Sequence, residues 1–272
     1  MFEKLKTKYR YSIILYKELV RTDFKLRYQG SFLGYLWALL KPLLMFVVLY
    51  VVFVNFLRIG EGIQYWPVAL LAGIMLWTFF SEITNMSIRA IVDKGDLIRK
   101  INFPKYIIIL ASSTSALINL AFYMIVLLIF CLISGVSFGW SALLAPIWIL
   151  QIFIFALGLG FIMSTLYVKI RDINYIWEII LQALFYASAV IWPISILATD
   201  NIFLAKLVLL NPVAQAIQSF RHTFIGPNNQ TLFELTDGAW YWGIIPVSIV
   251  IITFVIGLLM FKKSSPKFAE NV

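Results

Sequence analysis

Long apolar runs fill most of this chain, and its lysines and arginines crowd into alternate connections between them. The runs extend roughly from Phe32 to Phe56, Val68 to Ile91, Ile107 to Ile133, Leu143 to Val168, Tyr175 to Ile191 and Trp240 to Phe261. A bilayer core about 30 Å thick is crossed by ~20 helical residues, so each run spans it or nearly so, the fifth being the shortest. Hydrophobic residues make up 62% of the chain and charged residues 13%. A soluble domain carries about a quarter of its residues charged, so that class is excluded. The expectation is an all-α integral membrane protein with six transmembrane helices in one domain, residues 1–272.

The basic residues set the orientation. Lys4, Lys6, Lys8, Arg10, Lys17, Arg21, Lys25 and Arg27 precede the first run, and Arg89, Lys94, Arg99, Lys100 and Lys105 lie between the second and third. Lys169 and Arg171 follow the fourth run, and Lys262, Lys263 and Lys267 follow the last. The opposite segments hold only Arg58, Lys206 and Arg221, against Glu61, Asp200, Glu234 and Asp237. The positive-inside rule then places both termini in the cytoplasm, and an even number of crossings agrees. Tyr65, Trp66, Phe138, Trp140, Trp192, Trp240, Tyr241 and Trp242 mark the outer rim, where amphipathic rings suit headgroup depth. The net charge of +9 is therefore topology. No nucleic-acid motif accompanies it, so no nucleic-acid partner is expected.

Several chemistries drop out early. Cys131 is the only cysteine, which leaves no disulfide or thiolate metal site within the chain, and His222 is the only histidine. No metal site is expected. The basic N-terminus lacks the short apolar core and cleavage site of a signal peptide, so the first run is expected to direct insertion. Asn229-Gln230-Thr231 matches a glycosylation sequon, a pattern short enough to arise by chance. No G-x-x-x-x-G-K-[ST] phosphate loop occurs, so the usual machinery of ATP hydrolysis is missing. No catalytic residue and no cofactor is assigned to this chain.

Residues 1–31 form the first expected subregion. Ile13, Tyr16, Val20 and Phe24 line one side of a helix and Lys17, Arg21 and Lys25 another, as suits an amphipathic helix on the membrane surface. Asp23 and Arg27 interrupt the apolar arc but stand four apart and can pair. The segment is either a positive-inside anchor or a docking surface for a cytoplasmic partner.

Spans one to five are assigned to residues 32–191. In the second, Thr78, Glu82, Asn85 and Arg89 recur at helical spacing, and such a polar stripe should face the bundle interior or a wet cavity. A Glu82–Arg89 pair acting only as glue is the plainer reading. After the turn Asp93-Lys94-Gly95, Asp96 can cap a short helix from Leu97 to Ile101 that ends before Phe103-Pro104. A merely solvated loop would not need Leu97, Ile98 and Ile101 exposed to water. Lys41 in the first span either snorkels to the cytoplasmic surface or faces a transport path. Ala156, Gly160 and Ser164, and the patch Ser112 to Ser115, read as close-packing positions between helices. Trp77, Phe79, Phe80, Phe185 and Tyr186 are rings able to stack on a ligand, if they point inward.

Residues 192–239 are too apolar for a solvated loop. Ile202 to Leu210 and Pro212 to Phe224 are helical in composition but too short to cross, with Asn211 as cap and Pro212 in the first turn. Two re-entrant helices before the last span, packed at their turn, satisfy the backbone at that depth. Span six covers 240–261, and 262–272 is a cytoplasmic tail.

The run from Arg21 through Arg27-Tyr28-Gln29-Gly30-Ser31-Phe32-Leu33-Gly34-Tyr35-Leu36-Trp37, with Lys41-Pro42-Leu43, resembles the opening of the permease subunits of ABC-2 type polysaccharide exporters. Asp96-Leu97-Ile98-Arg99-Lys100-Ile101-Asn102-Phe103-Pro104-Lys105, Arg171-Asp172-Ile173, and Asn211-Pro212 with Arg221 nine residues on continue the resemblance. The Ala189 to Pro193 segment departs from it, lacking the usual Ser-Pro pair. The resemblance implies a homodimeric permease in the plasma (inner) membrane, paired with two copies of an ABC ATPase subunit that binds ATP and Mg. The cargo it implies is a lipid-linked glycan of the O-antigen or teichoic acid type. It makes Leu97 to Ile101 a coupling helix, with Lys17, Arg21, Lys25, Asp96, Leu97, Ile98 and Ile101 meeting the ATPase. Arg27, Lys41, Glu82, Arg89, Phe185, Tyr186, Arg221 and His222 are the candidates for the path, and Arg221 and His222 alternatively meet lipid headgroups by snorkelling.

Two other functions fit the coarse architecture. The same fold exports drugs or lipids, since fold does not dictate cargo. A membrane-embedded transferase acting on a lipid carrier needs clustered carboxylates or a histidine, and here Glu61, Glu82, His222 and Glu234 with Asp237 stand apart.

Overall fold

A computed structural model describes residues 2–28, 34 and 36–271. Where the sequence is apolar and free of breakers it is helical. The long helices are α1 (Phe2–Tyr28), α2 (Leu36–Leu49), α3 (Trp66–Asp93), α5 (Tyr106–Ile133), α6 (Ala145–Tyr167), α7 (Ile173–Ala187) and α12 (Tyr241–Ser264). Short helices join them: α4 (Gly95–Lys100), α8 (Ile194–Asp200), α9 (Ile202–Leu209), α10 (Pro212–Phe224), α11 (Leu232–Leu235) and α13 (Phe268–Asn271). Beyond Leu49, α2 continues as a π-helical stretch from Tyr50 to Phe56.

Among the described residues, five segments are long and apolar enough to cross a membrane: Leu36–Phe56, Trp66–Asp93, Tyr106–Ile133, Trp140–Tyr167 and Tyr241–Glu270. The fifth apolar run yields a shorter helix than its composition suggested. α7 holds 15 residues, because the chain leaves the helix at Ser188 and Ala189 takes a left-handed φ of 51°. After it, α9 and α10 meet at a 100° bend. Asn211 makes that bend: its side chain accepts from the Val213 amide at 3.0 Å and donates to Ser188 Oγ at 2.9 Å.

α3 is the centre of the bundle. Its apolar window is 78% buried, against 22% for α2 and for α12. It packs on α5 and α6, and α6 in turn packs on α12. The α6–α12 contact is close because two glycines meet there. A side-chain carbon on Gly257 would overlap the Gly158 carbonyl, and one on Gly158 would overlap the Phe254 backbone. Gly160, expected as a packing position, faces Ser87 of α3. Phe79 and Phe80 stack on Phe153 and Phe155 and are fully buried, so they are core rather than rings lining a path.

Two smaller apolar clusters flank the main core. One gathers Leu19, Ile98, Phe103, Phe161 and Phe261, joining α1 and α4 to the ends of α6 and α12. It also takes in the segment read as a tail: Phe268 on α13 is buried beside Phe261, ring centroids 5.2 Å apart, so 262–271 packs on the bundle. The other cluster holds α8, α9 and α11 together through Ile194, Leu209 and Leu235.

Candidate translocation cavity and coupling surface

α2, α3 and α7 enclose a cavity of about 1020 Å³. It opens on the flank of the bundle, where Leu44, Val48 and Ile179 are exposed. Ridge residues of α2, among them Trp37 and Lys41, form one wall. Trp77, Thr78, Ser81 and Asn85 of α3 form the back, and Glu178, Gln182, Phe185 and Tyr186 of α7 form the other wall. Three rings make a continuous aromatic edge: Trp77 meets Phe185 at 5.7 Å and Phe185 meets Tyr186 at 5.4 Å between centroids. The hydroxyls of Thr78 and Ser81 bond back to Ile74 and Thr78 carbonyls at 2.7 and 3.0 Å, which satisfies them without a ligand.

A polar relay ties this wall to the end of α3. Arg89 Nε donates to Asn174 Oδ1 at 3.1 Å, and Asn174 Nδ2 donates to Glu178 Oε1 at 2.8 Å. Asn174, Glu178 and Gln182 stand four apart, so α7 presents them on one face. That spacing is the signal that marks them, with Asn174 just before a run read as simply apolar and Glu178 and Gln182 inside it.

Beside this relay, at the same C-terminal end of α3, lies a charged surface. Lys94 Nζ donates to Asp23 Oδ1 at 2.7 Å, with side chains 22% and 16% exposed, and this pair fastens α1 to the start of α4. Asp23 was expected to pair with Arg27, whose side chain lies outside the described residues. The longer-range contact with Lys94 forms because α1 lies along α5, with Tyr16 Oη and Thr114 Oγ1 2.6 Å apart. Lys17, Arg21 and Lys25 are exposed. In α4, the expectation that Leu97, Ile98 and Ile101 face water is corrected. Ile98 is buried and the other two pack against the chain's own core. The outward side is charged instead: Asp96, Arg99 and Lys100 are exposed. Asp96 does not cap α4, whose N-cap is Lys94. It accepts from Arg99 Nη2 at 2.8 Å. That hydrogen bond, the Arg99 charge and then the Lys100 charge hold its carboxyl below the usual carboxylate range.

The family model for the ABC-2 type transporter matches residues 14–225. The chain belongs to the ABC-2 type transporter family. It is therefore a membrane-embedded transport subunit rather than an ATPase, and membership implies an ABC ATPase partner. Over its full length this ABC-2 chain is 27% identical, across 276 residues and all of both chains, to the O-antigen export system permease protein RfbA of Myxococcus xanthus. Two proteins of that name from Klebsiella pneumoniae are each 28% identical over 98% of both chains.

Of the path residues expected in this ABC-2 chain, Lys41, Phe185 and Tyr186 do converge on the cavity. Arg89 reaches its border only through Asn174. The reading of Glu82 with Arg89 as a glue pair is replaced by separate contacts on different helices. Glu82 accepts from Asn119 Nδ2 at 3.0 Å and Tyr123 Oη at 3.3 Å, both on α5, away from the cavity.

Arg221 overturns both of its expected roles. It is fully buried, so it neither snorkels nor faces a path. Nε donates to the Ala69 carbonyl at 2.8 Å, Nη1 to the Ala189 carbonyl at 2.9 Å, and Nη2 to the Val190 carbonyl. Its guanidinium also lies 5.2 Å over the Trp66 ring. His222 sits at the rim, its Nδ1 3.0 Å from the Asn229 carbonyl and 3.6 Å from Glu234 Oε1. Arg27 falls outside the described side chains.

Proposed function

We propose that this chain is the permease subunit of an ATP-driven exporter that moves a lipid-linked polysaccharide of the O-antigen class across the plasma (inner) membrane, from the cytoplasmic to the outer side. The observation that carries this reading is the flank cavity, in which a lysine, a carboxylate and an aromatic edge share one open space. Relatives named as O-antigen export permeases over their whole length support the cargo class.

The cavity's chemistry suits a glycan on an anionic lipid carrier. Lys41 supplies a cation to the carrier phosphates. Glu178 and Gln182 exchange hydrogen bonds with sugar hydroxyls, and the Trp77, Phe185 and Tyr186 edge offers stacking faces that tolerate different sugars. A single chain leaves this cavity open on one side. Two copies facing each other across that flank enclose a path wide enough for a polymer, so the working unit is a homodimer with two ATPase subunits, both termini cytoplasmic.

ATP and Mg bind on the partner. Its closing motion reaches this chain through the charged surface of α1 and α4, where Lys17, Arg21, Lys25 and Asp96 meet it and where Leu97, Ile98 and Ile101 root the short helix in the core. The Asp23–Lys94 pair makes α1 and α4 move together, and Arg89–Asn174–Glu178 carries that movement into the cavity wall. α9 and α10 re-enter the outer leaflet without crossing, which with α7 as the fifth crossing gives six.

Reconstitution with the partner ATPase tests this. Lipid-linked O-polysaccharide is expected to raise ATP hydrolysis several-fold, whereas small amphipathic drugs leave it at the basal rate. Stimulation by drugs alone would reverse the cargo assignment.

A further inference from the structure

The Arg221 side chain sits where three separate pieces of backbone meet. Ala69 lies in the first turn of α3, Ala189 and Val190 lie in the turn that ends α7, and Arg221 belongs to α10. Ala189 and Val190 lie just past the C-terminal end of α7, where no further helical turn follows to supply amides to their carbonyls, and the left-handed φ of Ala189 bends that turn out of the helix. Two further contacts from the re-entrant segment grip the same turn: Gln218 Nε2 donates to the Ala189 carbonyl at 3.4 Å, and Asn211 Nδ2 donates to Ser188 Oγ at 2.9 Å. The space for the guanidinium is made by Gly73. A side-chain carbon there would overlap the guanidinium and press on the Val190 carbonyl.

The turn that Arg221 holds directly follows Phe185 and Tyr186, the last-turn residues of α7 that form the cavity's aromatic edge. We infer that Arg221 is a positioning residue, a latch that fixes the end of α7 and the α9–α10 hairpin to α3 and so keeps the far end of the cavity sealed when the exporter is idle. The inference rests on the reading that the cavity belongs to a transport path. It gives Arg221 no contact with cargo, only with the wall that bounds it. The fork geometry is what the latch requires. Nε, Nη1 and Nη2 reach acceptors on two segments at once, and a lysine ammonium, whose three N–H groups all radiate from one nitrogen, does not span them.

The test uses the intact exporter, permease with ATPase, in liposomes loaded with a small anionic dye, with neither ATP nor glycan present. Dye efflux is expected to rise at least tenfold with Arg221→Lys. Gly73→Ala, which keeps the guanidinium but occupies its seat, is expected to leak several-fold, and Gln218→Ala, which removes only the longest of these bonds, about twofold. Vesicles that stay sealed with assembled Arg221→Lys overturn the latch, even if that variant melts at a lower temperature. Should Arg221→Lys fail to assemble, Gly73→Ala and Gln218→Ala decide, and sealed vesicles with both overturn it. Because the assay needs no cargo, its failure is distinct from failure of the glycan assignment, which the stimulation of ATP hydrolysis reads separately.

Discussion

Two cations in this molecule solve the same problem with opposite means. Lys94 at the foot of α3 is met by the Asp23 carboxylate, at a place where both side chains keep some contact with solvent. Arg221 at the head of the same helix is met only by backbone carbonyls, with no solvent contact at all. Bringing a carboxylate into that interior would add a second desolvated charge, and the attraction gained does not reliably offset it. The carbonyls near the end of α7 need donors in any case. A guanidinium short of acceptors and a helix end short of donors cancel each other's deficit. The contrast says that Lys94 makes an adjustable joint and Arg221 a fixed one.

The largest expected effect is at the fixed joint. Arg221→Ala removes three charge-assisted hydrogen bonds, each of roughly 1.5–3 kcal/mol, so a loss of about 4 kcal/mol or more is expected. Size-exclusion chromatography in detergent should find little assembled permease, and wild-type yield would erase the distinction between the joints. Asp23→Asn should cost only about 1 kcal/mol, as a partly exposed pair does. Its signature is functional: assembly near wild type, with cargo-stimulated ATP hydrolysis reduced several-fold. A variant that loses assembly instead would show the pair to be structural glue.

The smallest effect concerns pH. The Asp96 carboxyl is held below its ordinary range chiefly by Arg99. A depressed pKa adds stability that is present above the unfolded value of 3.8 and lost as pH falls through the lower folded value. Transport between pH 6 and 8 should therefore be flat with respect to this group. Arg99→Gln should raise the Asp96 pKa in an NMR titration while leaving that plateau unchanged, and a slope appearing there would mean that Asp96 is coupled to something other than its neighbour.

Much of the fold was legible because membrane helices announce themselves. The run Ile107 to Ile133 became Tyr106–Ile133 and the run Val68 to Ile91 became Trp66–Asp93 almost unchanged. The fifth run misled because composition does not see a backbone turn: Ser188 to Ile191 are apolar enough for helix, yet the Ala189 and Val190 carbonyls are claimed by Arg221. The site was legible in part. Lys41 was singled out as a charge within an apolar span and Phe185 and Tyr186 as rings for stacking, and one cavity holds all three. Glu178 was missed although Asn174 and Gln182 flank it at helical spacing. The Asp23–Lys94 pair was illegible in principle, since a local partner at i+4 was as good until α1 was laid on α5. Leu97 and Ile98 show the converse error. An apolar pair in a charged connection meant a buried root, not an exposed face.

Lys41 is the residue on which the transport reading bears hardest, being the one exposed cation that lines the cavity among the described residues. Carrier-linked glycan should be measured on the cytoplasmic and outer sides of the membrane in cells carrying Lys41→Glu, with permease and ATPase levels checked alongside. Export through this cavity predicts at least a tenfold fall in outer glycan, with carrier-linked chains accumulating inside and the exporter still assembled. Wild-type export by an assembled Lys41→Glu permease would contradict it.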